Sequence, residues 1–145
     1  MTDQQLEDYC EAEFENIDKV LMELLSLVKA KGDEYSIIEL AAIGTFIHNF
    51  YNGIENILKR VLFYKQIEVK DTATWHKDLL KASFENGIIP TDLYHHLSNY
   101  LSFRHFFVHA YSFSLNWEDM KPLVEGVDEM LKQFKQEINN YIIKL

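Results

Sequence analysis

The chain has 145 residues, 48% of them hydrophobic and 14% aromatic, which is enough to form a core and excludes a disordered chain. Its net charge of −9 argues against non-specific nucleic-acid binding but permits a local positive site. The sequence predicts no membrane span and no secretory signal, and the single Cys10 excludes an internal disulfide, so we expect a cytoplasmic protein.

The first half of the chain predicts two long helices. Apolar residues at spacings of three and four indicate a helix over residues 6–30, ended by Lys31-Gly32. Ser36 and Glu39 have the spacing of a capping box, which predicts the start of the second helix. An apolar stripe then continues from Leu40 to Val61, as in a bundle helix.

The second half predicts three more helices. After a loop at residues 66–74, a short helix is expected over residues 75–85. Thr91 is a candidate cap for a fourth helix over residues 92–112, and Asn116 for a last helix with an apolar stripe from Leu123 to Tyr141. We therefore predict a single all-α domain over residues 1–145, an antiparallel four-helix bundle with a short accessory helix. An irregular helical array is the alternative.

The fourth helix has an unusual charge distribution. Between Leu93 and Trp117 the only formally charged residue is Arg104, although 26% of the chain is charged. A surface helix normally carries charge on its outer face, so we expect something other than water to cover this one. Arg104 also interrupts an apolar row, and a buried arginine stays charged and is costly unless it is paired.

Two rows of residues run along this helix. The core row is Leu93, Leu97, Tyr100, Arg104, Phe107 and Tyr111, and the neutral polar row beside it is His95, Ser98, Ser102, His105, His109 and Ser112. Arg104 and Tyr111 are expected to share a face, whereas Arg104 and His109 lie about 140° apart on an ideal helix. Either the helix distorts, or a second copy completes the site in a two-fold dimer.

Arg104 and His109 suit metal-free RNA cleavage. Histidine exchanges protons near neutral pH, and arginine binds phosphate through two parallel hydrogen bonds. His109 would deprotonate a ribose 2′-hydroxyl, and Arg104 would stabilise the charge on the phosphate. A histidine that only lines the core is the alternative for any single position.

The residues Arg104-x-x-x-x-His109-x-Tyr111 match the signature of HEPN-domain toxins of the HepT type. The segment from Asn49 to Arg60 also resembles the second helix of HepT-like proteins. The resemblance extends over residues 14–141 and includes the spacing of the helices.

This resemblance implies a homodimeric, metal-independent endoribonuclease that needs no cofactor. It also implies a partner, an MntA-like nucleotidyltransferase antitoxin that transfers AMP from ATP onto Tyr111. The added bulk and negative charge beside Arg104 would block the RNA phosphate. A non-catalytic subunit that docks a nucleotidyltransferase is the alternative function.

Several other polar residues are candidates for supporting roles. His105 follows Arg104 in the signature, and Glu55 is a candidate for orienting Arg104, with a solvated glutamate as the alternative. Asn52 is likewise a candidate for orienting Arg104, with a solvated side chain as the alternative. His48 is expected to be a hydrogen-bonded structural histidine. We expect no metal site, because the paired Glu-x-x-His motifs of metal-binding bundles are absent.

Overall fold

The computed structural model describes the backbone of residues 1–145 and the side chains of residues 1–28 and 32–145. No strand occurs in that backbone. Its six helices and one 3₁₀ turn are α1 (Asp3–Lys31), α2 (Ile37–Tyr64), α3 (Trp75–Glu85), α4 (Thr91–His109), the 3₁₀ turn Ser112–Ser114, α5 (Trp117–Val124) and α6 (Val127–Ile143). The all-helical class predicted from the sequence is confirmed.

The four long helices pack in a ring. α1 packs on α2, α2 on α4, α4 on α6, and α6 returns to α1, while α3 covers α2 and α4. α1 and α2 are antiparallel, because Arg60 reaches Tyr9 and Asn56 bonds Glu13. The shared core is apolar, and its largest fully buried side chains are Tyr51, Phe50, Phe134, Leu6, Ile17, Leu24, Ile43, Ile47, Ile54, Ile57, Leu58 and Leu62.

Local hydrogen bonds explain where two helices begin. The Ser36 hydroxyl accepts from the Glu39 amide at 3.1 Å, and the Glu39 carboxylate accepts from the Ser36 amide at 2.9 Å, so the predicted capping box is present. Asn116 caps α5 as predicted, since its side-chain oxygen accepts from the Asp119 amide at 3.0 Å. The predicted Thr91 cap is wrong: the cap position is Pro90, and no side chain caps α4.

The last predicted helix is in fact two helices. α5 ends at Val124, and Gly126 takes a left-handed conformation with φ of 74° before α6 begins. Glycine adopts this conformation at little cost, so the chain bends there. The bend lets both helices bury apolar side chains, among them Leu123 and Val127. No helix in the described part of the chain is long and apolar enough to cross a membrane.

Candidate functional site

The end of α4 carries the first part of the candidate site. The helix ends at His109, three residues before the predicted end, because Ala110 and Tyr111 are extended, with ψ of 153° and 151°. The turn that follows brings Leu115 into the core. Tyr111 therefore does not share a helical face with Arg104 as predicted. It is 73% exposed instead of lying in the core row.

A groove of about 410 Å³ lies at this end of the helix. The ring centroids of His105 and His109 are 5.0 Å apart, in an edge-to-face arrangement. The Tyr111 ring stacks on Phe113, with centroids 5.4 Å apart. The groove is lined by Ser102, His105, Phe106, His109, Ala110, Tyr111 and Ser114. Two signature residues, His109 and Tyr111, thus share one solvent-accessible groove.

The polar row of α4 faces outward. All of its members are exposed except Ser98, which is half-buried. The Ser98 hydroxyl donates to the Tyr94 carbonyl at 2.8 Å, and the Ser102 hydroxyl to the Ser98 carbonyl at 3.1 Å. These hydroxyls are satisfied within their own helix, so the row offers a neutral surface to a partner or ligand.

Arg104 belongs to a different environment. It is half-buried, its Nε is fully buried without a hydrogen-bond partner, and it does not line the groove that contains His109. Burial, and then the charge of Arg104, lowers the pKa of His48. No described side chain forms a hydrogen bond or an ion pair with Arg104. It is therefore a cation without a direct partner at the contact of α2, α3 and α4.

Glu55 and His76 lie in the same cluster. His76 Nδ1 is 2.9 Å from one Glu55 carboxylate oxygen and 3.0 Å from the other. Burial raises the pKa of Glu55 to about 7, while the charge of Arg104 acts in the opposite direction. Glu55 is only 5% exposed, so its interpretation as a solvated glutamate is wrong.

Two further polar groups of α2 complete the cluster. The buried Tyr51 hydroxyl faces the Glu55 carboxyl but meets no partner in full hydrogen-bond geometry. Burial, then the charge of Glu55 and then the approach of the hydroxyl to this carboxyl, raises the pKa of Tyr51 well above the usual value. The buried Nδ1 of His48 also has no partner, and the ring packs on Phe107 with centroids 5.1 Å apart. The expectation that His48 is hydrogen-bonded is therefore wrong.

The predicted site residues thus fall into two groups, one in the outer groove and one in the inner cluster. His105, His109 and Tyr111 line the outer groove, whereas Arg104 and Glu55 lie in the inner cluster. Asn52 is half-buried on α2 and forms no hydrogen bond with the described residues of either group. Arg104 does not line the groove that contains His109, as expected for positions about 140° apart on a straight helix.

His76 is not among the residues predicted from the sequence, because it lies near the start of α3 with no motif around it. One signal was available: His48, Tyr51 and Glu55 follow one another at spacings of three and four, which places a polar stripe on a helix with a largely apolar core face. Such a stripe predicts a polar partner from another helix. Among the described residues, no three His, Cys, Asp or Glu side chains come together as a metal site.

Residues 42–145 match a protein family described as HepT-like protein, so the match covers most of the chain, including α4 and both groups of site residues. The family supports a HEPN-type protein of the toxin–antitoxin class, and the all-helical fold agrees with it. No curated protein and no solved structure matches the sequence.

Proposed function

The chain belongs to the HepT-like family, and from this premise we propose that it is the toxin of a toxin–antitoxin pair and cleaves RNA without a metal ion. One observation carries the proposal. On a stretch of α4 with no other charge, Arg104 has no direct partner, and His109, five residues later, is exposed in a groove. A cation held half-buried without a partner is costly unless a ligand pairs with it.

The residues suit transesterification at a ribose phosphate. His109 takes the proton of a 2′-hydroxyl, whose oxygen then attacks the adjacent phosphorus. The bond from phosphorus to the 5′-oxygen breaks, and the leaving oxygen takes a proton from water or a protonated imidazole. The products are a 2′,3′-cyclic phosphate end and a free 5′-hydroxyl. Arg104 stabilises the charge that grows on the non-bridging oxygens.

A homodimer would complete this site. Arg104 and His109 point to different sides of α4 in one chain, so a two-fold axis along this helix would bring Arg104 of one copy toward His109 of the other. The outer face favours such pairing, because it has no charge to desolvate and carries exposed apolar rings, including Phe106 at 42% exposure. RNA would then bind in the cleft between the copies.

Tyr111 is the proposed point of control. Its ring is 73% exposed, so an MntA-like nucleotidyltransferase partner can reach the hydroxyl. Attack of that hydroxyl on the α-phosphorus of ATP would release pyrophosphate and leave AMP on the tyrosine. The bulky anion would fill the groove that holds His109 and repel an incoming phosphate.

Purified, unmodified protein incubated with RNA and a chelator tests the proposed activity. We expect cleavage with cyclic phosphate ends, and a loss of roughly 10²–10⁴-fold in the rate with His109→Ala. His95→Ala is the matched control, since His95 is also exposed on α4 but lies outside the groove. Cleavage by His109→Ala at the rate of the unaltered protein would contradict the catalytic assignment.

The alternative, a non-catalytic docking subunit, predicts tight binding to the nucleotidyltransferase and no cleavage by the free protein. The separation of Arg104 from His109 within one chain favours testing this alternative directly.

Measuring the intact mass of the protein after incubation with the partner and ATP tests the proposed AMP transfer onto Tyr111. We expect an added AMP group that is lost in Tyr111→Phe and kept in Tyr141→Phe, a control tyrosine on α6. AMP addition to Tyr111→Phe would refute the tyrosine assignment.

A further inference from the structure

The relation between Glu55 and Arg104 is unusual for an acid and a base in one interior cluster. A buried carboxylate beside an arginine normally closes into a bidentate ion pair, which is the strong geometry for these two groups. Here no ion pair joins them, and the Arg104 Nε is left buried and unsatisfied. Both carboxylate oxygens of Glu55 instead face His76 Nδ1, at 2.9 and 3.0 Å.

We propose that His76 is a positioning residue for Arg104: by engaging both oxygens of Glu55 it keeps this carboxylate from closing onto the guanidinium, which stays available for an anionic ligand. That the ligand is an RNA phosphate rests on the function proposed above. Without His76, the Glu55 carboxylate of the same chain would form an ion pair with the Arg104 guanidinium.

His76 is well held for this task. The Thr74 hydroxyl donates to the Asp78 carboxylate at 2.9 Å, which fixes the first turn of α3. The Trp75 ring lies edge-to-face with His76 at 4.8 Å, and Lys59 of α2 lies 5.5 Å from the same indole. These contacts tie the start of α3 to α2, one turn beyond Glu55.

The charges around Glu55 agree with this role. On α2 the neighbour of Glu55 is Tyr51, on α3 His76, and on α4 Arg104. From α1, Glu13 instead accepts a bond from Asn56 at 3.2 Å. Burial, then Arg104 and then His48, lowers the pKa of His76.

Burial raises the pKa of Glu55 to about 7. Near neutral pH the pair therefore has a large neutral fraction, with one proton between carboxyl and imidazole. A neutral pair attracts the guanidinium far less than a free carboxylate does.

The chain has only two arginines, Arg60 and Arg104, which makes a direct test practical. The Nε–Hε groups of both are observed by nitrogen-15 NMR, and Arg60→Lys assigns the Arg104 signal. In His76→Phe we expect this proton to exchange with water about tenfold or more slowly, as a charge-assisted hydrogen bond to Glu55 forms. The double variant His76→Phe/Glu55→Gln should return to the exchange rate of the unaltered protein, because an amide carries no charge.

His76→Gln is the conservative variant, since its amide can still donate to the carboxylate, and it should keep the exchange rate within about threefold of the unaltered protein. It also replaces His76→Phe in the exchange measurement if His76→Phe does not fold. An Arg104 signal that is unchanged in His76→Phe, or that stays slowed in the double variant, would overturn the proposal. If only His76→Gln folds, a tenfold slowing in that variant that Glu55→Gln does not reverse also overturns it.

Cleavage assays separate this proposal from the proposed function. If the protein cleaves RNA, His76→Phe should lower kcat/KM about tenfold or more, and added Glu55→Gln should restore it. A double variant as slow as His76→Phe would contradict the positioning role. If the NMR signals behave as expected but the unaltered protein does not cleave RNA, the positioning role stands and the ribonuclease assignment fails.

Discussion

Gly53 of α2 lies directly against Ile17 of α1, so that a methyl group added to Gly53 would come within 2.4 Å of Ile17 Cγ1. Such a contact forces a shift, and overpacking of a core costs about 1–3 kcal/mol. We expect Gly53→Ala to lower the free energy of unfolding by that amount in urea titrations. Because Ile17→Ala removes the opposing atoms, the double variant should lose less free energy of unfolding than the two single variants lose together. Strict additivity would contradict the close contact.

The buried carboxyl of Glu55 should make stability depend on pH. Its folded pKa of about 7 lies above the usual 4.5, so folding favours the protonated form. This contribution is complete below about pH 4.5 and is lost as the pH rises through 7. Each tenfold change in proton affinity corresponds to about 1.4 kcal/mol, so the loss reaches about 3 kcal/mol.

Glu55→Gln should therefore gain stability relative to the unaltered chain between pH 5 and pH 8. Urea titrations across this range measure the gain. Glu23→Gln, at an exposed position of α1, is the control and should show no such trend. A constant difference between Glu55→Gln and the unaltered protein at all pH values would refute the raised pKa.

Tyr100 joins α4 to the end of α5 through a buried hydrogen bond. Its hydroxyl donates to the Leu123 carbonyl at 2.6 Å. Tyr100→Phe leaves this buried carbonyl unsatisfied, which costs about 1–3 kcal/mol. Thermal unfolding should show the loss, whereas Tyr94→Phe, whose half-buried ring stacks on Phe84, serves as the control with little change. Equal stability of the two variants would argue against the hydrogen bond.

Cys10 should be unreactive in the folded protein. It is 2% exposed, and burial raises its pKa to about 11. Compared with the usual value of 9.0, the thiolate fraction at pH 8 falls about a hundredfold, and the thiolate is the form that alkylates. Labelling of Cys10 by iodoacetamide, monitored by mass spectrometry, should be slow in buffer and fast in urea. Ser26→Cys in a Cys10→Ala chain places a thiol at an exposed site of α1 and should label quickly in both.

Local signals in the sequence predict the helices well, because caps and apolar spacing depend on a few neighbouring residues. The capping box at Ser36 and the cap at Asn116 are of this kind. The early end of α4 is different, since it depends on Leu115 reaching the core, and the break at Gly126 depends on how α5 and α6 pack. Both are tertiary effects that override a continuous helical pattern.

The same limit applies to the candidate site. The signature marks Arg104, His109 and Tyr111 from their spacing alone, but the burial of Glu55 follows from the docking of α3. His76 lies twenty-one positions further along the chain, and only the fold brings it to this carboxylate. The sequence therefore predicts the outer groove more completely than the inner cluster.

Arg104 is a half-buried cation in a strongly acidic protein, and this combination determines how a polyanion would reach it. The molecule as a whole carries −9, so its field repels RNA over the Debye length of about 8 Å at physiological ionic strength. The half-buried Arg104 is screened far less than the exposed carboxylates are. If RNA is the substrate, as proposed above, moderate salt should therefore speed the diffusional encounter with it, which reverses the salt dependence shown by basic nucleic-acid-binding proteins.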